Sequence, residues 1–451
     1  MNLSPQQLNT WYRYKWITRA IFKVILIAFV VSPAVARHRD DANRHEDPFE
    51  PTVSSQEAKL LHTAMTKAGT DKTAALEMLN VKNLADASPA IDFAIGNLYF
   101  QREELDAAAE AYQNAIRKLP KFRSAIMNLG RVYLLQQQTG KAITLYQQLA
   151  EDGQANADIL LLLGHALLME NYPVSAEVAY QQTLLLRPKH PDAMLGMAKS
   201  LMQQERYEQG LALIGELLQQ DPIQKELWSL RTNAYLAMGA YERATRSIEV
   251  ARRLGCADIE ILATLGDLYL NRNQPEDALA AYKIAFRKEA PSATRMLRAL
   301  EGFIIVGNLE GAEEMLGCIE GIKQEKSATF SLNDQIKLLR LKGELAQQKG
   351  ESEQANALYE ELLRIDPLDA KAMLLLAKGL HQKGNLEQAA IMCERAARIE
   401  GFEADALVLH AQIEVGREHY ADAVELLEAA QTFVDRPFVK RYLDQVRRMA
   451  R

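Results

Sequence analysis

The chain has 451 residues, of which 48% are apolar and 25% are charged, and these ordinary values exclude a wholly disordered chain and a multi-spanning membrane protein. Its 23 glycines and 14 prolines are fewer than usual, which favours an all-helical protein over a β-sandwich, a barrel or a collagen. The net charge of −6 argues against a general nucleic-acid binder, because neutralising phosphates requires clustered lysine and arginine.

The first 36 residues have the order of a secretory signal. A positively charged stretch precedes the apolar run at 24–31, and Ala34 and Ala36 follow as small residues, so we expect cleavage after Ala36. The charges are Arg13, Lys15, Arg19 and Lys23. One alternative is an uncleaved inner-membrane anchor over 17–36, since a spanning helix needs about 20 residues; another is a cytosolic protein with an apolar N-terminal helix. We predict a periplasmic or exported protein, with or without such an anchor.

Residues 37–54 are predicted to form a flexible charged linker, because they contain two prolines and show no apolar periodicity. Histidines and acids in this stretch could bind a metal weakly, but a solvated linker explains them as well, and we assign no metal site there. These side chains are His38, Asp40, Asp41, His45, Glu46 and Asp47.

A 34-residue spacing organises the chain from residue 89 onward. Gly96, Gly130 and Gly164 are 34 residues apart, and Gly266 follows Gly164 by three such intervals. Twelve residues after this glycine position, every unit has a small residue, namely Ala108, Ala142, Ala176, Gly210, Ala244 and Ala278. Four residues further on, a tyrosine recurs at Tyr112, Tyr146, Tyr180 and Tyr282.

This pattern resembles the tetratricopeptide repeat family, and unit 225–258 retains even the family's tryptophan, as Trp228. The resemblance implies an all-α fold, a right-handed α-solenoid of about ten to eleven 34-residue helix-turn-helix repeats. We expect a first block at 55–326, an insertion at 327–335 and a second block at 336–437. A helix at 438–451 would cap the array; a basic docking helix for an acidic partner or a lipid is the alternative.

Motifs for catalysis or cofactor binding do not emerge. The sequence has no HExxH, P-loop, GxGxxG after a strand or GxSxG motif. Acids that adjoin in sequence point about 100° apart on a helix and do not converge on one atom. The three cysteines, Cys256, Cys318 and Cys393, form no CxxC or zinc pattern and are interpreted as buried thiols. We therefore expect no enzyme activity, no cofactor and no metal.

In this family the first helices of the units line a groove, and the resemblance implies that residues flanking the glycines face it. The candidate partner-binding residues are Phe93, Asn97, Phe100, Met127, Asn128, Arg131, Leu134, Leu161, His165, Leu168, Met169, Lys199 and Met202. Such an apolar strip with polar positions indicates either a binding groove or a core between neighbouring first helices. From residue 293 the same positions become polar, with Arg298, Glu301, Lys337, Arg340, Glu344, Gln347, Lys371 and Lys378.

The resemblance and the N-terminal segment together predict a non-enzymatic scaffold or adaptor of the bacterial cell envelope, serving secretion, polymer export or energy-coupled transport. Its partner would be a protein or peptide segment, and no nucleic acid is expected. The alternatives are a periplasmic chaperone that holds unfolded clients, and an array that carries substrates to a catalytic partner. The carboxylate clamp known in this family is rejected, because Asp158 and Leu162 stand where basic residues are needed.

Overall fold

The computed structural model describes residues 48–80, 87–288, 291–325, 329–434 and 436–450. Within these residues all regular structure is α-helical and no strand occurs, which confirms the all-α prediction. The predicted signal or anchor at 1–36 and linker residues 37–47 lie outside the described residues. In the part of the chain that is described, none of the helices combines the length and the apolar character needed to cross a membrane.

The helices group into two compact units. The first unit ends at Ala240, and its described helices are α1 (Ser55–Ala68), α2 (Lys72–Leu79), α3 (Pro89–Gln101), α4 (Leu105–Lys118), α5 (Arg123–Leu135), α6 (Thr139–Glu151), α7 (Ala157–Met169), α8 (Pro173–Leu186), α9 (Pro191–Gln203), α10 (Tyr207–Gln220) and α11 (Lys225–Ala237).

The second unit begins at Tyr241. Its described helices are α12 (Tyr241–Arg253), α13 (Ile259–Asn271), α14 (Pro275–Lys288), α15 (Ala293–Ile305), α16 (Leu309–Gln324), α17 (Leu332–Gln348), α18 (Ser352–Ile365), α19 (Ala370–Gln382), α20 (Leu386–Ala396), α21 (Glu403–Gly416), α22 (Tyr420–Phe433) and α23 (Pro437–Met449). The division between the units does not coincide with the predicted insertion at 327–335. Part of that insertion instead extends α17, which begins at Leu332.

Helices that follow one another along the chain pack against each other within each unit, so that two helices form a hairpin and each hairpin packs on the next. One hairpin cannot bury its own apolar face, and stacking on a neighbour makes the core continuous. The predicted α-solenoid of helix-turn-helix repeats is therefore confirmed.

The first helix of every repeat from α3 onward ends in the same turn. The repeats are counted in 34-residue units from residue 89 in the first predicted block and from residue 336 in the second. The fifteenth residue of every unit has a positive φ, between 57° and 81°. These residues are Glu103, Gln137, Asn171, Glu205, Gly239, Asn273, Gly307, Gly350, Gly384 and Glu418. The next amide donates to the carbonyl five residues earlier, as from Gln138 to Tyr133 at 2.8 Å, which closes a Schellman motif.

Five tyrosines pack against five glycines of the first helices. Each tyrosine follows its glycine by 16 residues and is fully buried. The pairs are Gly96–Tyr112, Gly130–Tyr146, Gly164–Tyr180, Gly266–Tyr282 and Gly343–Tyr359. A Cβ atom on Gly130 would lie 2.5 Å from Cζ of Tyr146, so no side chain fits between the ring and the backbone.

Other repeats fill these two positions with a larger first-helix residue and a smaller second-helix residue. Four such repeats each lie wholly within one of the two compact units. Their two positions hold Ala198 and Ile214, Leu300 and Leu316, Ala377 and Cys393, and Ala411 and Leu427. The volume that the first helix gains is thus removed from the second helix. Across the five repeats with a ring and these four without one, tyrosine occurs only where the first helix offers a glycine.

Residues 49–54 pack against the array, so the prediction of a flexible linker does not hold for them. The carbonyl of Phe49 accepts from the amide of Arg123 at 3.0 Å, and Val53 is buried with the residues of α1 and α3. Ser54 caps α1 in a capping box with Glu57. An apolar residue directly before such a cap packs on the helix that follows, and this explains the order of the segment.

The C-terminal segment is helical as predicted. Val439, Leu443 and Val446 recur at i, i+4 and i+7 and are buried in the cluster that includes residues of α22. Phe438 is 49% exposed, because it lies one residue before the buried stripe begins.

The shared turn yields a prediction at Gln137, whose φ is 61°. A left-handed conformation costs a side-chain-bearing residue roughly 1–2 kcal/mol, whereas glycine adopts it freely. Because glycine also increases the entropy of the unfolded chain, we expect Gln137→Gly to raise the free energy of unfolding by a net amount of about 0.5–1 kcal/mol. The midpoint of thermal unfolding should rise accordingly.

The matched control is Gln147→Gly, which makes the same chemical change at an exposed position inside α6. Glycine in a helix interior costs about 1 kcal/mol, so this variant should unfold at a lower temperature than the parent chain. If both variants lose stability equally, the positive φ at Gln137 carries no strain.

Candidate partner-binding site

The predicted groove residues lie on the first helices α3, α5, α7 and α9, and we call the surface that these helices form the first-helix surface. Eight of the thirteen residues are buried, namely Phe93, Phe100, Asn128, Arg131, Leu134, Leu161, His165 and Leu168. The other five are half-buried, namely Asn97, Met127, Met169, Lys199 and Met202.

The apolar members of this set belong to the core. The ring of Phe93 lies 5.0 Å from that of Phe122 and 5.7 Å from that of Tyr112, between ring centroids. The remaining ones, Phe100, Leu134, Leu161 and Leu168, lie in the same kind of buried cluster. Burying such a side chain contributes about 1.5–3 kcal/mol to folding. Of the two alternatives that the sequence left open, packing between helices describes these five side chains.

Two polar members bind the hydroxyl groups of buried tyrosines. The hydroxyl of Tyr112 donates to Oδ1 of Asn97 at 2.8 Å, and that of Tyr180 lies 2.9 Å from Nδ1 of His165. Burial raises the pKa of both tyrosines, so each phenol keeps its proton and can donate it. Asn97 and His165 each directly follow a packed glycine, and this position supplies the acceptor that a buried phenol requires.

His165 is neutral at physiological pH. Burial, aided by the neighbouring Lys199 and His190, lowers the pKa of His165 to about 3. With Nδ1 accepting from the phenol of Tyr180, the imidazole proton lies on Nε2. This atom is buried and has no hydrogen-bond partner within the described part of the chain.

Arg131 also follows a packed glycine, but its guanidinium has no lone pair and cannot accept a phenol proton. The hydroxyl of Tyr146 donates instead to the carbonyl oxygen of Met127 at 3.3 Å. Arg131 turns to Asn128, donating from Nη1 to Oδ1 at 3.2 Å. Asn128 in turn donates to Oδ1 of Asn97 at 3.0 Å, so a polar chain connects α3 with α5.

Among the residues that the structure describes, Arg131 is a buried cation without a carboxylate partner. It is 9% exposed, and its Nε is buried with no hydrogen-bond partner. Among the described residues, no carboxylate forms an ion pair with it. Burying an uncompensated charge costs several kcal/mol, which the surrounding packing must offset.

Several other charged residues on first helices form ion pairs with a neighbouring repeat. Lys337 on α17 binds Glu301 on α15 at 2.7 Å, and Lys371 on α19 binds Glu344 at 2.9 Å. The further pairs of this kind are Arg295–Asp267, Arg298–Asp267, Arg340–Asp369 and Lys199–Glu226. The residues predicted to make a charged half of the groove therefore mostly neutralise one another between neighbouring helices, which Arg131 does not do.

Sequence reasoning missed the partners of these side chains. Asp158, which led us to reject a carboxylate clamp, forms a two-point ion pair with Arg187 at 2.6 and 3.0 Å. The 16-residue interval from glycine to tyrosine was visible in the sequence and could have revealed each packed pair. The direction of the tyrosine hydroxyl depends on the rotation of the second helix, which periodicity does not specify.

Comparison with known proteins identifies the repeats. Two family models, both described as tetratricopeptide repeat, match residues 93–158, 264–300 and 340–404, and residues 167–234. The TPR repeat-containing protein YpiA of Bacillus subtilis is 24% identical over 202 residues, which are 43% of this chain and 46% of YpiA. The matched stretches span 8% to 46% of the lengths of the curated relatives.

Solved structures of tetratricopeptide repeat proteins are also similar to this chain. A tetratricopeptide repeat protein from Parabacteroides merdae is 20% identical, with a TM-score of 0.40, and the match covers 50% of this chain and 92% of that one. YrrB, described as a TPR protein with an unusual peptide-binding site, is also 20% identical, with a TM-score of 0.35 and coverage of 47% and 97%.

Proteins of this kind generally serve as non-catalytic scaffolds that bind protein or peptide partners. The segments matched by the family models make up more than half of the residues, and they coincide with the stacked helical hairpins. The chain therefore belongs to the tetratricopeptide repeat family.

Proposed function

We propose that this protein is a non-enzymatic scaffold of the bacterial cell envelope and that it binds a protein segment on the first-helix surface at Arg131. The observation that carries the proposal is the Arg131 guanidinium, which is buried and has no carboxylate partner within the described part of the chain. Three other first-helix cations, Lys199, Lys337 and Lys371, each have a carboxylate partner from the neighbouring first helix. A partner that supplies a carboxylate or a carbonyl oxygen would complete the Arg131 site in the same way.

The surroundings of Arg131 suit a protein segment. Met127 and Met169 are half-buried, so their flexible thioether side chains offer apolar contact on the first-helix surface. Asn97 and Asn128 hold one another in place through their amides at 3.0 Å. A partner would therefore meet an ordered polar line bordered by adaptable apolar groups, a combination that favours one binding orientation.

A selective scaffold agrees better with these observations than a holdase does. A chaperone that holds many unfolded clients requires broad exposed apolar surface, and the apolar strip expected from the sequence is mostly buried. The predicted groove residues that are not buried, such as Met127 and Met169, are only half-buried. We therefore expect one partner bound with defined geometry rather than many clients.

Replacing Arg131 by methionine tests this proposal, because methionine fills similar volume without the charge. Exchanging a buried ionic group for a packed apolar one is often neutral or stabilising by about 1–4 kcal/mol. We expect Arg131→Met to unfold at the same or a higher temperature and to lose its partner. Partner binding is read by a photo-crosslinking residue placed at Met127, which should give one discrete adduct in cells.

Two controls accompany this measurement. A crosslinker at Leu185, which is 81% exposed on α8, should give no such adduct. Arg117→Met, which removes an exposed charge in the same unit, should leave the Met127 adduct intact. If Arg131→Met still forms the adduct at full yield, the partner does not bind at Arg131. If Arg131→Met unfolds at a lower temperature than the parent chain, Arg131 has a structural role.

The envelope location rests on the sequence of residues 1–36, in which positive charges, the apolar run 24–31 and the small residues Ala34 and Ala36 follow in order. We expect the protein purified from cells to begin at Arg37, as determined by mass spectrometry. In Ile27→Arg a charge interrupts the apolar run, so a reporter fused after Arg451 should switch from extracytoplasmic to cytoplasmic activity. Cytoplasmic reporter activity of the unaltered chain would contradict export.

A further inference from the structure

The turn between α21 and α22 brings three metal-ligating side chains together, with a fourth, His410, beside them. His410 and Glu414 lie one turn apart on α21, His419 is the residue immediately before α22, and Asp422 lies in the first turn of α22. Glu414 is buried, whereas His419 and Asp422 have side chains that are 50% and 69% exposed. The cluster therefore has one buried anchor and an open side from which an ion can enter.

The donor atoms have separations that suit a small metal ion. Nδ1 of His419 lies 2.8 Å from Oε2 of Glu414 and 3.9 Å from Oδ2 of Asp422, and these three donor atoms all lie within 4.8 Å of one another. In a tetrahedral zinc site with bonds of about 2.0–2.1 Å, neighbouring ligand atoms are roughly 3.3 Å apart. The observed distances fall on both sides of this value, so small side-chain movements create the site.

Comparison among the ten repeats of this chain shows that the cluster is a local departure from the repeat pattern. The eleventh position holds Glu414 in the last repeat and an apolar or aromatic residue in every other one. Those residues are Tyr99, Tyr133, Leu167, Leu201, Tyr235, Tyr269, Phe303, Ala346 and Leu380. The sixteenth position holds a histidine only here, as His419. A carboxylate thus takes a core position that apolar side chains fill elsewhere.

The backbone holds the ligands before any ion binds. The amide of His419 donates to the carbonyl of Glu414 at 2.9 Å, and Glu418 between them has a φ of 64°. This is the Schellman turn shared by the repeats, so the distance between the two ligands is set by the fold. Such preorganisation lowers the entropy that metal binding must overcome.

We propose that Glu414, His419 and Asp422 form a binding site for Zn²⁺. The three ligands would be Oε2 of Glu414, Nδ1 of the neutral imidazole of His419 and Oδ2 of Asp422, with water or Nε2 of His410 as the fourth. Two carboxylate oxygens with one or two imidazole nitrogens are a ligand set that zinc accepts readily. Bound zinc would tie the N-terminal turn of α22 to α21.

The neighbouring charges leave one carboxylate oxygen free for the ion. Arg417 donates to Oε1 of Glu414 at 3.0 Å, and His410 lies 3.6 Å from that same oxygen. Oε2 faces His419 alone in the described contacts, at 2.8 Å. Zinc therefore replaces the hydrogen bond between His419 and Oε2, while Arg417 keeps its bond to Oε1 and orients the carboxylate.

Isothermal titration of the chelator-treated full chain with ZnCl₂ tests the site. The reference protein carries His38→Gln and His45→Gln, because these two histidines stand among acids in the sequence and weak zinc binding there would obscure the titration. We expect one site per chain. Asp422→Asn and His419→Gln should each weaken its affinity by more than about tenfold, whereas the exposed His62→Gln should not change it.

Thermal unfolding separates loss of the site from loss of the fold. Zinc should raise the midpoint of the reference protein and leave that of Asp422→Asn unchanged, and without zinc both should unfold cooperatively at similar temperatures because Asp422 is exposed. Failure to bind zinc in the micromolar range would overturn the proposal, as would equal affinity of the reference, His419→Gln and Asp422→Asn proteins. The cluster would then be an ion-pair network that only fixes the turn.

Discussion

The packing of a tyrosine ring against a glycine of the preceding helix is the contact on which five of the repeats depend. A ring that touches backbone brings two helices closer than any pair of side chains permits, and the close approach is possible only where Cβ is absent. Tyr180 shows how far this extends, because it contacts Gly164 in its own hairpin and Gly196 in the next first helix. One side chain thereby fixes the spacing within a repeat and between two repeats.

The same contact determines which polar groups the first helices carry. A phenol buried beside a glycine needs an acceptor, and the residue after the glycine supplies it as Asn97, as His165 and, in the second unit, as Asp267, which accepts from Tyr282 at 2.5 Å. Asp267 also binds Arg295 at 2.9 Å, so the acceptor is shared with the next first helix. Arg131 occupies this position without being able to accept, so the hydroxyl of Tyr146 donates to the carbonyl oxygen of Met127 instead.

The fold was predictable from the sequence because the helix-contact positions of the repeat accept few residue types. Glycine and alanine at the helix contacts and the 34-residue interval sufficed for the helical hairpins, and the small residues Ala108, Ala142 and Ala176 are fully buried as expected. Gly307 and Gly384 occupy turns with positive φ, a conformation that glycine adopts readily. The same turn at Glu103 or Glu418 was invisible, since glutamate rarely adopts it.

The candidate site was predicted less well, for a physical reason. Position within a repeat tells which helix a side chain belongs to, but burial depends on the neighbouring helices, and Phe100 and Leu168 prove to be core residues. Ion pairs such as Lys371–Glu344 join residues 27 positions apart, and their formation depends on how two repeats are rotated. A glutamate in a core position, as at Glu414, was a signal that a comparison of the repeats could have found.

Ring and glycine are matched in volume, and a double-mutant cycle measures this match directly. Gly130→Ala, Tyr146→Ile and their combination would be unfolded in urea, the combination reproducing the Ala198 and Ile214 arrangement of another repeat. We predict that the combined variant is more stable than the sum of the single effects by at least about 1 kcal/mol, because the methyl group added at Gly130 clashes only while the ring is present. The parallel cycle with Gly140→Ala, where an added Cβ has nothing within 4 Å, should be additive. Additivity within about 0.5 kcal/mol in the Gly130 cycle as well would contradict the account.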